Sequence, residues 1–171
     1  YTCAACGQKK TESIPMMDNT YVEDGQMMVC SSCGSIQEIT TMKTGDRVVI
    51  FAPAYKKALS STIVSTHYNA GVDIAVGDDT VSGYADTEVW TVTVNNDGSY
   101  TFAQGGKNIS MAADYNSMSL GAVNDTWNVI SLGGSLYNIQ NVGRGTFMEW
   151  DDSNNNCNTY NSSDVAPNDR F

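Results

Sequence analysis

Between Glu88 and Phe102 apolar and polar side chains alternate, with Trp90, Val92 and Val94 falling on one side of an extended segment and Val89, Thr91 and Thr93 on the other. The run breaks at Asn96-Asp97-Gly98, where a tight turn needs a residue that tolerates positive φ, and resumes toward Tyr100 and Phe102. This is the pattern of a β-hairpin. It returns between Asp125 and Ile139, where Trp127 leads an alternating run and Gly133-Gly134 marks the turn. Arg47 to Ala52 reads as a further strand, Pro53 to Lys57 as a turn, and Ala58 onward as the next strand. A helical reading fails nearly everywhere, because Gly, Asn and Thr interrupt every candidate stripe of i, i+3, i+4 spacing.

Laid against itself, the chain shows one pattern in three passages. Phe51 is followed by Lys57-Ala58-Leu59-Ser60, Phe102 by Asn108-Ile109-Ser110-Met111, and Ile139 by Thr146-Phe147-Met148-Glu149. Each passage closes on an aromatic residue preceded by acidic or polar ones: Trp90, Trp127 and, more weakly, Phe171. One such unit of about forty residues has an apolar edge it cannot bury alone, whereas three around a pseudo-threefold axis close a short barrel. The expected fold is therefore all-β, a β-trefoil, with a core of Val49, Phe51, Leu59, Trp90, Val92, Phe102, Ile109, Trp127, Val129, Ile139, Phe147 and Phe171. The first unit carries an insertion from Asp73 to Tyr84, rich in Gly and Asp, which reads as a surface loop.

Composition narrows the function. The chain has 171 residues, 41% of them hydrophobic, enough for one domain of ordinary size and a small appendage. Its 9 Lys plus Arg stand against 19 Asp plus Glu, a formal charge of -10. No cluster of cations is present to displace phosphate counterions, which argues against a nucleic-acid partner. No apolar run approaches the roughly 20 residues of a membrane helix. Abundant Asn, Ser, Thr, Gly and Tyr suit a secreted or cell-surface protein. The chain opens at Tyr1 with no signal peptide or initiating methionine and stops at Phe171, as a mature or trimmed piece of something longer does.

The cysteines set the N-terminal segment apart. Cys3-Ala4-Ala5-Cys6-Gly7 and Cys30-Ser31-Ser32-Cys33-Gly34 are two Cys-x-x-Cys-Gly knuckles, and two such turns supply four thiolates for a tetrahedral zinc ion. With a hairpin tip at Glu23-Asp24-Gly25 between them, residues 1–40 resemble a zinc ribbon, leaving 41–171 for the β-trefoil. Four sulfur ligands leave no open position, so the Zn2+ expected here is structural. Two disulfides are the alternative, and a redox dithiol a third, though neither motif has a βαβ setting.

The span from Gly45 to Phe171 resembles the ricin-type β-trefoil group of carbohydrate-binding modules, and more closely the trefoil-like repeats of large secreted or surface proteins of gut Firmicutes. The phrases that carry the resemblance run from Trp90 to Phe102, Lys107 to Met111, Asn141 to Gly145 and Phe147 to Trp150. The family's Gln-x-Trp signature is absent: Glu88 and Asp125 stand at the glutamine positions, so the tryptophan half of the motif survives and the polar half does not. The resemblance implies carbohydrate or another glycoconjugate as partner, held by an aromatic face with Asp and Asn on the hydroxyls. The third repeat offers Trp150, Asp151, Asp152, Asn154-Asn155-Asn156, Tyr160 and Asn161; its counterparts are Asp114, Tyr115 and Asn116 in the second repeat and His67, Tyr68 and Asn69 in the first. The bland alternative is that these Asp and Asn satisfy backbone amides in turns and that Trp150 covers the core.

Enzyme chemistry finds little purchase. His67 is the single histidine, and Cys157, the fifth cysteine, has acidic and Asn neighbours and no cation to activate it. Gly105-Gly106-Lys107 lies between strands with no following helix, so it is not a phosphate loop. The expectation is a non-catalytic extracellular binding module. The alternatives are a structural or self-associating segment of a surface protein or filament, and the accessory domain of a secreted hydrolase.

Overall fold

The computed structural model describes residues 21–24, 27–30, 36–38, 42–66, 68–77, 80–112, 117–133, 136–161 and 171. The chain divides into two compact units, Tyr1–Ile39 and Thr40–Phe171. In the first, β1 (Tyr21–Asp24), β2 (Met27–Cys30) and β3 (Ile36–Glu38) form an antiparallel sheet in that order, with Asp24 opposite Met27 and Val29 opposite Ile36. Cys30 closes β2 opposite Tyr21; Cys3, Cys6 and Cys33 lie outside the described residues.

The second unit is built from strands. Its first repeat contains β4 (Arg47–Val49), β5 (Phe51–Ala52), β6 (Lys57–Val64), β7 (Tyr68–Asp73) and, after the insertion, β10 (Val89–Val94). The second has β11 (Tyr100–Gln104), β12 (Lys107–Ser110), β13 (Ser119–Gly121) and β14 (Trp127–Gly133), and the third β15 (Leu136–Asn141), β16 (Phe147–Asp151), β17 (Asn156–Tyr160) and Phe171. The pairing repeats as well. Strand β10 lies between β4 and β11, and β14 between β11 and β15, so each aromatic-led strand joins the first strand of its own repeat to the first strand of the next. Phe171 stands where the third such strand belongs, its carbonyl accepting from the Tyr137 amide of β15 at 2.7 Å. This is the arrangement of a β-trefoil.

The core explains why tryptophan leads these strands. Trp90 and Trp127 are both fully buried, and each donates its indole N–H, at 3.0 Å, to a carbonyl of its own repeat's second strand, Leu59 and Ile109 respectively. A large apolar ring with one satisfied polar atom ties the barrel strand to the hairpin above it. Leu59, Trp90, Val92, Phe102, Ile109, Trp127, Ile139, Phe147 and Phe171 are buried as expected, joined by Met111, Met118, Met148, Trp150 and Cys157. Val49, Phe51 and Val129 are only half-buried. The backbone breaks pairing at Ile50, between β4 and β5, and it is Ile50 and Ala52 that turn inward. Phe51 pairs with Ala58, Ala103 with Asn108 and Gln140 with Phe147, so the residues equivalent to Ile50 are Phe102 and Ile139, one step from the alignment the sequence suggests. A slip of one residue exchanges the two faces of a strand.

The insertion is more ordered than a plain surface loop. It folds as a small hairpin, β8 (Ala75–Val76) with β9 (Val81–Ser82), anchored by buried Ile74, whose amide donates to the Lys56 carbonyl at 3.0 Å. A single 3-10 turn, Asp86–Glu88, leads from it into β10, and among the described residues no helix is long and apolar enough to cross a membrane.

Candidate functional site

The hairpins above the barrel are where the threefold pattern breaks. In β6 the register with β7 shifts between Leu59 and Ile63, a bulge that leaves the Ser60 carbonyl unpaired in the ladder. The Asn69 side chain fills that gap, donating to Ser60 O at 2.8 Å from a fully buried position. Asn69, expected among the ligand-binding residues, therefore serves the backbone. Beyond the bulge, β6 and β7 end at the Val64–Tyr68 pair, and the tip carries Ser65 and Thr66 at φ 51° and 64°. Positive φ in a β-branched residue is strained, and such strain gathers at ligand sites.

The β16–β17 hairpin closes at the Asp151–Asn156 pair around a turn in which Asn155 has φ 49°. The Asp151 carboxylate holds that turn, accepting from the Asn154 amide at 3.2 Å and from Asn154 Nδ2 at 2.8 Å. Here the expectation that Asp and Asn satisfy local backbone groups is met in part. Strand β17 then pairs antiparallel with β7, Asn156 opposite Ala70 and Cys157 opposite Asn69, so the third repeat's tip is stitched to the first repeat's.

Between the two tips lies a groove of about 340 Å3, walled by Val64, Ser65 and Tyr68 on one side and by Asp151 and Asn154, Asn155 and Asn156 on the other. Its volume falls in the range of about 300–1,000 Å3 typical of small-molecule sites. Asn156 is 5% exposed; its Nδ2 donates to the Asn154 carbonyl at 3.3 Å, while its Oδ1 has no partner among the described residues. A buried amide oxygen left without a donor costs about 1–3 kcal/mol and is a ready acceptor for a ligand that brings one.

The residues singled out in the sequence thus separate. Asp151, Asn156 and Tyr68 come together in the groove, and Asp152 is exposed in the turn beside it. Trp150 is not a stacking platform: it is 1% exposed, faces the core opposite Cys157, and packs against Gly71 and the Tyr55 ring, 6.4 Å away between centroids. Alternation along β16 sends Trp150 inward and Asp151 outward. Tyr160, 49% exposed, and Asn161 are at the far end of β17, about 13 Å from Asn156 at 3.3 Å per residue. His67, Asp114, Tyr115 and Asn116 lie outside the described residues. Sequence reasoning missed Val64 and Ser65, whose place at a hairpin tip equivalent to residues 152–155 was the one available signal.

Three other groups complete the chemistry. Glu88 is 1% exposed; burial raises its carboxyl pKa, but hydrogen bonds from Thr87 Oγ1 at 2.6 Å, from the Ala85 amide at 2.9 Å and from Ser60 outweigh that and hold it below the usual value. Asp125 accepts from Asn108 Nδ2 at 2.7 Å. At the positions where the ricin-type pattern has glutamine, these two carboxylates link the approach to β10 and β14 with the second strands of their repeats. Cys157 is in β17 rather than in the loop its polar neighbours suggest; burial first, then the Glu149 carboxylate, push its thiol well up, and its Sγ lies 3.5 Å from Met118 Sδ.

No protein-family model and no curated protein matches the chain. Solved structures do. ThreeFoil, a designed threefold-symmetric protein, matches with a TM-score of 0.58 at 15% identity over 72% of this chain and 94% of its own. SeviL, in a structure bound to asialo-GM1 saccharide, matches with a TM-score of 0.52 at 9% identity over 74% of this chain and 94% of its own. The GlcNAcα1-4Gal-releasing endo-β-galactosidase of Clostridium perfringens matches with a TM-score of 0.58 at 11% identity over 72% of this chain, which spans 31% of the enzyme. At these identities the likeness speaks for the fold, and it agrees with the β-trefoil built from the repeats.

Proposed function

We propose that the Thr40–Phe171 unit is a non-catalytic extracellular module that binds carbohydrate in the groove between the β6–β7 and β16–β17 tips. One observation carries this reading: where β7 pairs with β17, Tyr68 and Asn156 line one groove, and the buried Asn156 oxygen has no donor among the described residues. Sugar recognition asks for an aromatic ring against the apolar face of the pyranose and for amide or carboxylate groups on its hydroxyls. Tyr68 supplies the ring in place of Trp150, and Asp151, Asn154 and Asn156 supply the polar contacts. The saccharide held by SeviL supports the same class of ligand on the same fold.

The groove is open to solvent, so binding is weak per copy and gains strength from repeated modules or a multivalent surface. The N-terminal unit belongs to the reading as a small appendage, its Cys3, Cys6, Cys30 and Cys33 closed around structural zinc. A secreted or cell-surface location and a larger parent protein complete it. Titration calorimetry with a panel of neutral oligosaccharides tests the site: at least one binds saturably, and Asn156→Ala weakens it about 10-fold or more, equivalent to about 1.4 kcal/mol. Undiminished binding in Asn156→Ala moves the ligand elsewhere, and no binding to any glycan leaves the protein-interaction reading, for which Ile130 and Leu132, both 41% exposed in β14, supply an apolar contact.

A further inference from the structure

Resting on that reading, we infer that the groove takes an uncharged saccharide which donates a hydrogen bond to Asn156 Oδ1, with Asn156 as specificity-determining residue, and that it rejects sialylated, uronic-acid and sulfated glycans. Among the described lining residues the one charged side chain is Asp151. Asp151 brings a carboxylate and Asn156 an orphaned oxygen, both acceptors, and the Asn156 amide group spends one of its two hydrogens on the Asn154 carbonyl. No Lys or Arg is among the described residues that line the groove. Asp152 follows in the same turn, so a second carboxylate stands near the first.

A ligand entering here has to satisfy Asn156 Oδ1 with an O–H or N–H of its own, as a pyranose hydroxyl or an acetamido group does. A carboxylate or sulfate group brings no donor for Asn156 Oδ1 and sets a negative charge beside Asp151, with no cation among the described lining residues to neutralise it. Like charges at such separations disfavour binding, and the formal charge of -10 over the whole chain adds a repulsive field at longer range. A site built to accept from a ligand hydroxyl also rejects the analogue that lacks it, because the buried oxygen is then left unpaired.

The test uses the full chain and paired probes: neutral oligosaccharides of the gluco, galacto, manno and N-acetylhexosamine series, each beside its sialylated or sulfated counterpart, titrated at low and at high salt. The expected result is saturable binding of a neutral member with its anionic counterpart at least about 10-fold weaker, a gap that narrows with salt. Asp151→Asn narrows it too, by improving the anionic partner, and monodeoxy analogues of the bound sugar include one that wild-type protein rejects and Asn156→Ala does not. Equal or tighter binding of the anionic members overturns the inference while the groove remains a glycan site. Absence of binding to every probe overturns the inference and the glycan reading together.

Discussion

Trp90, Trp127 and Trp150 are all buried, but of the three the first two donate their indole N–H to a main-chain carbonyl, while Trp150 Nε1 has no partner among the described residues. Its ring is instead fitted against the bare backbone of Gly71, where an added Cβ would collide with the indole. Glycine inside a strand often marks such a close approach. Gly71→Ala should therefore destabilise the unit by about 1–3 kcal/mol through overpacking, read as a lower midpoint in urea unfolding with an unchanged slope. An unchanged midpoint would mean that the ring and β7 are not in contact. The sequence could not separate Trp150 as ligand platform from Trp150 as core, since Asp151 and Asp152 follow it in either case; only the phase of alternation along β16 decides. Asn69 makes the same point, because a polar residue next to Tyr68 reads as ligand-facing until the β6 bulge is seen to claim it.

At the level of elements, the hairpin from Val89 to Gln104 forms with the register that alternation predicts, Val92 opposite Phe102, and Asn95 to Ser99 close it with Gly98 at φ 84°. Strands β14 and β15 repeat it. What alternation did not fix was the phase of the first repeat, where the break at Ile50 puts Ile50 rather than Phe51 inside; nothing in Val48-Val49-Ile50-Phe51, apolar throughout, marks which residue faces in. The entry to β10 carries a pH dependence. Glu88 has a folded-state pKa below its unfolded value, which is near 4.3, so its contribution to stability is complete above that value and is lost as pH falls through the folded pKa. Glu88→Gln removes this acid-sensitive contribution: the stability difference between wild type and variant should shrink as pH is lowered from about 5 to about 3. A difference that stays constant across that window would show that the carboxylate's charge is not what the Thr87, Ala85 and Ser60 hydrogen bonds stabilise.

Across the whole molecule, the threefold repeat was legible because aromatic residues lead β10 and β14 and close the third repeat at Phe171. The groove was not, because it depends on β17 pairing with β7, two strands far apart in the chain whose contact no local pattern announces. The same pairing makes the candidate site a property of two repeats together and sets it apart from one built inside a single repeat. The N-terminal unit makes its own prediction. With zinc held by four thiolates, elemental analysis gives one metal per chain, Cys30→Ser abolishes it, and denaturation with chelator under non-reducing conditions releases all 5 thiols. Two disulfides in its place would leave Cys157 as the single free thiol and no metal.

The central claim, one composite groove that receives a glycan, is tested most directly by mapping backbone and Asn side-chain amide shifts of 15N-labelled protein during titration with the tightest neutral oligosaccharide. Saturable shifts are expected at Ser65, Tyr68 and Asn154 to Asn156, contributed by the first and third repeats together, with Tyr160 and Asn161 unmoved. Shifts centred on Tyr160 and Asn161, or spread equally over the three repeats with the groove silent, would contradict it.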